Sequence, residues 1–178
     1  MEKFDLYDKL GNKLDKTMYR GGTNTQGEYH LVVHVWIRNK DGEYLIQQRN
    51  KTTDLIPNQW GCTSGAVIQN ETSIDGALRE VKEEIGLNLT PEDLTRIKRY
   101  VIDHPKSNYI TDVYLVEKDV RLSSLQLDHH EVKAVTYKTL DQIETMVIEN
   151  TFWNYARLLE RRDYFDLLKI SNERLRKR

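Results

Sequence analysis

The chain has 178 residues, 38% hydrophobic and 31% charged, which suits one globular domain with a substantial core. Lys and Arg total 27 against 28 Asp and Glu, a formal charge of -1, so no global field recruits nucleic acid or an anionic membrane. The one cysteine, Cys62, excludes an intramolecular disulfide and a zinc site built from several thiolates; it suits a reducing, cytoplasmic setting, and no signal peptide or run of about 18 apolar residues argues otherwise.

In chain order, Phe4–Asp15 alternates around Gly11-Asn12 and reads as a hairpin. Tyr29–Arg38 is β-branched and aromatic, Tyr44–Gln48 alternates, and Asp41-Gly42 between them predicts a turn joining two neighbouring antiparallel strands. After Pro57 a Gly/Ser/Thr-rich connection leads to a change of period. Ile74, Ala77, Leu78, Val81 and Ile85 fall at helical spacing, so Ser73–Ile85 reads as a helix. Thr72 with Asp75 resembles a capping pair, and Gly86 stands where a left-handed C-terminal cap belongs. Strands are predicted at Arg96–Asp103, Tyr109–Glu117 and Val132–Tyr137. Thr139 with Gln142 opens a second helix ending near Asn150, and the chain reads as helical from Thr151 onward. Strands mixed with helices predict an α+β fold in which helices flank a sheet.

The chemistry concentrates on the Ser73–Ile85 helix, where Glu80, Glu83 and Glu84 share a face apart from the apolar arc. Carboxylates three and four residues apart repel, so a compensating cation is expected. Arg79, four residues before Glu83, supplies part of it, and a hard divalent cation that takes several carboxylate oxygens accounts for the rest. The alternative is a plain solvated face. Gly76, one turn before Glu80, costs a helix interior about 1 kcal/mol relative to alanine, which implies a close approach there.

The wider spacing narrows the choice. Gly65, Glu71, Arg79-Glu80-Val81, Glu83-Glu84, Gly86 and Leu87 fill the pattern G-x5-E-x7-R-E-U-x-E-E-x-G-U, where U is a bulky aliphatic residue. This closely resembles the signature of the Nudix hydrolases. The resemblance implies a Nudix-like α/β/α sandwich with a mixed sheet between helices, and hydrolysis of a nucleoside diphosphate linked to another group. Mg²⁺ or Mn²⁺ would be held against the diphosphate. By motif position Glu80, Glu83 and Glu84 become metal ligands, while Gly65, Glu71 and Arg79 support them. Residues 1–178 then form a single domain, with 1–27 as hairpin and lead-in, 65–87 as the signature box and 151–178 as a C-terminal helical segment. The expected partner is a small-molecule diphosphate, with neither nucleic acid nor membrane; dimers are common in that family, so a homodimer is admitted.

A second resemblance creates a rival activity. The stretch His30 to Arg49, with Pro57 and Trp60, resembles the subfamily of type 1 isopentenyl-diphosphate isomerases and their hydrolase relatives. His30 matches a metal histidine of those isomerases, Arg49 a diphosphate-binding arginine, and Glu84 a glutamate of their degenerate box. The catalytic cysteine falls on Ser64, two positions after Cys62; two further metal histidines fall on Thr23 and Val67, and a metal glutamate on Ile110. Only the catalytic glutamate keeps an acidic counterpart, Asp112. With the hydrolase box intact and the isomerase cage missing, hydrolysis is the expected reaction. A non-catalytic binding module of the same fold would typically lack a box carboxylate, and none is missing.

Hydrolysis needs a group that accepts the proton of the attacking water. The candidates are Asp112, polar in an apolar strand; Glu131, in a loop after His129-His130 that can close over substrate; and a box glutamate such as Glu83. Of the first two, Glu131 is the expected base and Asp112 a carboxylate facing metal or substrate. Arg49 and His30 are the expected substrate-binding residues. Trp36 reads as core, whereas Trp153, at the start of the last helical segment, is also open to substrate gating.

Overall fold

A computed structural model describes residues 1–50, 58–104, 106–153, 155 and 164–169. The N-terminal hairpin forms from β1 (Lys3–Tyr7) and β2 (Lys13–Tyr19), antiparallel, with Lys3 opposite Tyr19 and an irregularity between Asp5 and Tyr7. It extends four residues further than the alternation indicates. Phe4, Leu6 and Met18 bury themselves against Leu14, Ala66 and Ile68, a small core of their own.

The main sheet holds β3 (His30–Arg38), β4 (Tyr44–Arg49), β5 (Trp60–Gly61), β6 (Thr63–Ala66), β7 (Thr95–Ile102), β8 (Tyr109–Glu117) and β9 (Val132–Lys138). The β3–β4 hairpin is antiparallel as expected, but only Ile37–Leu45 and Arg38–Tyr44 pair. Along the rest of its length β3 pairs with β6, and on its other edge it runs parallel to β8 from His30–Tyr109 to Arg38–Glu117. The strand order is β5-β4-β3-β8-β7, with β9 on β4, so the sheet is mixed. Two strands were not expected: the connection after Pro57 contains β5 and β6. Thr63-Ser64-Gly65-Ala66 carries no alternation of apolar side chains, and its extended form comes from pairing with β3.

Helices cover both faces. α1 (Ser73–Ile85) buries Ala77, Val81 and Ile85 against Val33, Val35 and Ile110. Both predicted ends are present: Thr72 and Asp75 form a reciprocal capping box, and Gly86 closes the helix at φ 70. Gly76 is buried, and a Cβ there would stand 2.9 Å from Val67 Cγ2. The close approach read from the sequence is thus made by the protein's own Val67. On the other face α2 (Leu140–Ile148), capped by Thr139 and Gln142, packs Leu140 and Ile143 with Trp36, Tyr44, Tyr155, Tyr164 and Phe165. Trp36 is core, as expected.

The chain is not helical at Thr151. Trp60 N–H donates to Thr151 O (2.9 Å) and Trp153 N–H to Trp60 O (2.8 Å), so this segment lies extended beside β5. Peptide groups facing the sheet edge are satisfied by pairing there, which overrides the apolar helical spacing. Residues 166–169 form a helical turn. Pro57, Ala156, Leu159, the basic end Arg174–Arg178 and the rest of the expected C-terminal helix lie outside the described residues. Among those described, no helix is long and apolar enough to cross a membrane.

Candidate active site

Helix α1 and several strand ends meet at a cavity of about 550 Å³. From α1 come Arg79, Glu80, Glu83 and Glu84; from the edge strand β6, Ser64, Gly65 and Ala66; from the adjoining ends of β4 and β9, Arg49 and Glu131, with Asp128 beside them. The β4–β9 pairing sets Arg49 opposite Val132, which brings Glu131 next to the strand end.

The α1 carboxylates lie at two depths. Glu80 and Glu84 are buried, whereas the Glu83 side chain is 60% exposed. Gln47 donates through Nε2 to Glu84 Oε2 at 2.7 Å, and Thr63 Oγ1 donates to Gln47 Oε1 at 3.0 Å, so two strand residues fix the deepest carboxylate. Burial pushes the Glu84 carboxyl up to about 8, and the charge of Glu80 adds to the shift. Glu80 is raised as well, by burial first, with Arg79 pulling the other way. Directly opposite lies Gly65: a Cβ there would stand 2.0 Å from the Glu80 carboxyl carbon. Any side chain at position 65 would displace that carboxylate.

Arg79 is the organising cation. Its Nε and Nη2 donate to the two Glu71 oxygens at 2.7 and 3.1 Å, and Nη2 also donates to Ala66 O at 2.9 Å. Nη1 reaches Glu80 at 2.8 Å and Glu83 at 3.0 Å. Glu71 in turn accepts from Ile68 N–H at 3.1 Å, which ties the loop between β6 and α1 to the same network. One cation distributed over these carboxylates leaves their charge under-compensated in a partly dry site, an arrangement stabilised by a further cation.

The anionic donors that line the cavity are carboxylate oxygens, the kind that suits Mg²⁺ or Mn²⁺ rather than a soft metal. Among the described residues no three Asp, Glu, His or Cys side chains already converge as a finished cage. Arg79 holds Glu80 and Glu83 in the arrangement described, so their carboxylates would have to turn toward a cation.

Glu131 is held by its backbone. Asn50 N–H donates to Glu131 O at 2.8 Å, Glu131 N–H to Asp128 O at 2.9 Å, and Asp128 N–H to Glu84 O at 3.0 Å. The segment is pinned both to the end of α1 and to β4. These backbone bonds anchor the segment that the sequence reading treats as a loop able to close over substrate.

Two expected site residues are not brought to the cavity. Asp112 is fully buried beneath the start of α1. It accepts from Arg99 Nε and Nη2, both at 2.6 Å, and from Ser73 Oγ at 2.6 Å. Strand parity places it on the α1 side of the sheet, where these donors close around it. His30 sits on the other side, stacked on Phe4 (5.7 Å between centroids) and tilted against Tyr109; burial pushes its ring down to about 4. The positions matched to isomerase ligands are equally unsuited. Val67 and Ile110 are packed in the apolar layer under α1. Burial pushes the Cys62 thiol up to about 12, and its Sγ donates to Tyr155 Oη at 3.3 Å.

Five polar residues at or behind the site escaped sequence reading: Gln47, Thr63, Arg20, Glu2 and Asp128. Gln47 follows the apolar Tyr44-Leu45-Ile46 of β4 and precedes Gln48-Arg49, so nothing local marks it, yet it is only 2% exposed. Arg20 and Glu2 line the cavity from the N-terminal hairpin, and no local pattern marks them.

Comparison with known proteins agrees with this geometry. Residues 28–161 match the NUDIX domain family. An uncharacterised Nudix hydrolase of Listeria innocua is 36% identical over 156 residues, covering 87% of this chain and 90% of the relative. The crystal structure of a MutT protein from Methanosarcina mazei superposes with a TM-score of 0.63 at 24% identity, covering 81% of this chain and 95% of the other. The NUDIX domain of Shewanella oneidensis NrtR, complexed with ADP ribose, superposes with a TM-score of 0.58 at 16% identity, covering 83% of this chain and 88% of the other. The two structural likenesses establish the fold.

Proposed function

The chain belongs to the NUDIX domain family, and on that footing we propose that it hydrolyses a diphosphate linkage in a small nucleoside diphosphate derivative, with Mg²⁺ or Mn²⁺ as cofactor. The observation that carries this reading is the convergence of Glu80, Glu83 and Glu84 with Arg49 and Glu131 on one cavity. Glu80 and Glu84, joined by Glu83, would hold the divalent cation. Such a cation, when bound, neutralises charge on the phosphate oxygens and makes a water molecule a stronger nucleophile.

The chain's own residues supply the remaining parts. Arg49 presents a guanidinium to a phosphate, for which its planar fork of donors is suited. Glu131 accepts the proton of the water that attacks phosphorus, and its pinned backbone holds the carboxylate ready without a loop closure. As the new P–O bond forms, the bridging P–O bond breaks and its electron pair leaves with the departing phosphate. Gln47 and Thr63 keep Glu84 oriented, while Arg79 and Glu71 set the loop. Asp112, closed off by Arg99 and Ser73, serves the fold rather than the reaction.

ADP ribose, bound by the NrtR domain, belongs among the first compounds to try. The test is a panel of ADP ribose, dinucleoside polyphosphates, nucleoside triphosphates and isopentenyl diphosphate, each with Mg²⁺ or Mn²⁺. Metal-dependent cleavage at a diphosphate bond is expected. Conversion of isopentenyl diphosphate to its allylic isomer, with no hydrolysis elsewhere on the panel, would overturn the assignment.

A further inference from the structure

Six carboxylate side chains and three guanidinium groups line the cavity among the described residues. A doubly charged cation offsets part of that excess, yet an anionic diphosphate still needs positive groups of its own. Arg79 is committed to Glu71, Glu80, Glu83 and Ala66 O, so a second guanidinium on the cavity wall, that of Arg20, is a candidate to meet the substrate. Arg20 lies outside residues 28–161, the stretch that matches the family.

We propose that Arg20 is an anion-binding residue of this site, and that Glu2 occupies its guanidinium until a phosphate group of the substrate displaces it. The inference rests on the diphosphate hydrolase reading of the same cavity. It draws on how the hairpin presents the pair. Arg20 N–H donates to Glu2 O at 3.0 Å where β1 begins and β2 ends, so the two residues sit side by side at the open end of the hairpin. Arg20 Nε donates to Glu2 Oε2 at 2.6 Å, and the guanidinium lies 5.6 Å from the centroid of the Phe4 ring. An aromatic face under a guanidinium restricts its swing without using its hydrogen-bond donors.

The hairpin itself is fastened to the loop of the signature box. Gln69 N–H donates to Lys3 O at 2.7 Å, Asn70 N–H to Asp5 Oδ2 at 2.8 Å, and Phe4 packs on Ala66 and Ile68. Arg20 is therefore registered against Gly65 and the carboxylates it faces. The Arg20 and Glu2 side chains are 58% and 48% exposed. An ion pair so exposed contributes little stability, so exchanging its carboxylate for a phosphate, which can accept two donors of the fork, is easy.

Calorimetric binding of inorganic diphosphate in the presence of Mg²⁺ tests this on the full chain. Arg20→Ala should weaken binding about tenfold, in keeping with the loss of one charge-assisted contact. Glu2→Gln should tighten binding a few-fold, because the competing carboxylate is gone. Both variants break the same ion pair, so a merely structural role would weaken binding in both; thermal unfolding of each confirms the fold. Unchanged affinity in Arg20→Ala, weaker binding in Glu2→Gln, or no binding by the wild type overturns the inference. The hydrolysis panel fails or succeeds separately, since it reads bond cleavage by the wild type alone.

Discussion

The three α1 glutamates are spaced so that one helix face must carry them, and that much was legible at Glu80, Glu83 and Glu84. What spacing does not convey is depth. The structure buries Glu80 and Glu84 and leaves Glu83 at the rim, because Gly65 opens room for one carboxylate and Gln47 receives another. Asp112 shows the opposite limit. A carboxylate in an apolar strand signals a special environment without saying which, and here the environment is Arg99 and Ser73 rather than the cavity. Turnover should therefore separate the two acids. Glu131→Gln is expected to lower kcat by about 10²- to 10⁴-fold, the range for a lost general base. Asp112→Asn should retain turnover while losing about 3 kcal/mol of stability, since it breaks a buried charge pair. Steady-state kinetics with urea unfolding of both variants checks this; a collapse of kcat in a folded Asp112→Asn with near-normal Glu131→Gln would reverse the roles.

At the level of elements, α1 was readable to its ends because its caps are local chemistry: Thr72, Asp75 and Gly86 act within a turn of the residues they serve. β6 was not readable, because Thr63-Ser64-Gly65-Ala66 becomes a strand only through β3, some 30 residues earlier. The same holds for the extended Thr151–Trp153 segment, whose partner is Trp60. Yet β6 is the strand that gives the site its floor. Gly65→Ala places a methyl group on the Glu80 carboxylate, which is the far end of a flexible side chain, so the backbone can stay while the carboxylate moves. The expected result is a loss of metal-dependent activity of at least about 100-fold, as for a displaced metal ligand, with the unfolding midpoint nearly unchanged. Activity within a few-fold of wild type would show that Glu80 has no fixed position to lose.

Across the whole molecule the two faces of the sheet divide the work: one packs α1 and presents the carboxylates, and the other packs Leu140 and Ile143 of α2 among the rings of Phe152, Tyr155, Tyr164 and Phe165. Within that second layer Tyr164 Oη accepts from Trp36 Nε1 at 3.0 Å and sits 2.8 Å from His34 Nδ1. A neutral His34 completes this arrangement by accepting the hydroxyl proton. Burial pushes His34 down to about 3, against 6.5 when unfolded. Below pH 6.5 the unfolded chain takes up a proton that the folded chain refuses, so this stability is present above pH 6.5 and is lost progressively as pH falls toward 3. Replacing His34 by Gln should flatten the fall in unfolding free energy between pH 6 and 4 by up to about 1.4 kcal/mol per pH unit. Equal slopes in the two proteins would show that His34 does not govern the acid response. None of this layer's polar wiring was legible, since His34 and Tyr164 are 130 positions apart and meet only in the fold. The proposed chemistry depends above all on the carboxylates of α1. The most direct measurement is Mg²⁺-dependent cleavage of the best panel substrate by wild type and by Glu84→Gln, with and without chelator. Turnover should disappear with chelator and fall at least about 100-fold in the folded variant; equal turnover by both proteins, or turnover indifferent to chelator, would rule out a metal site on α1.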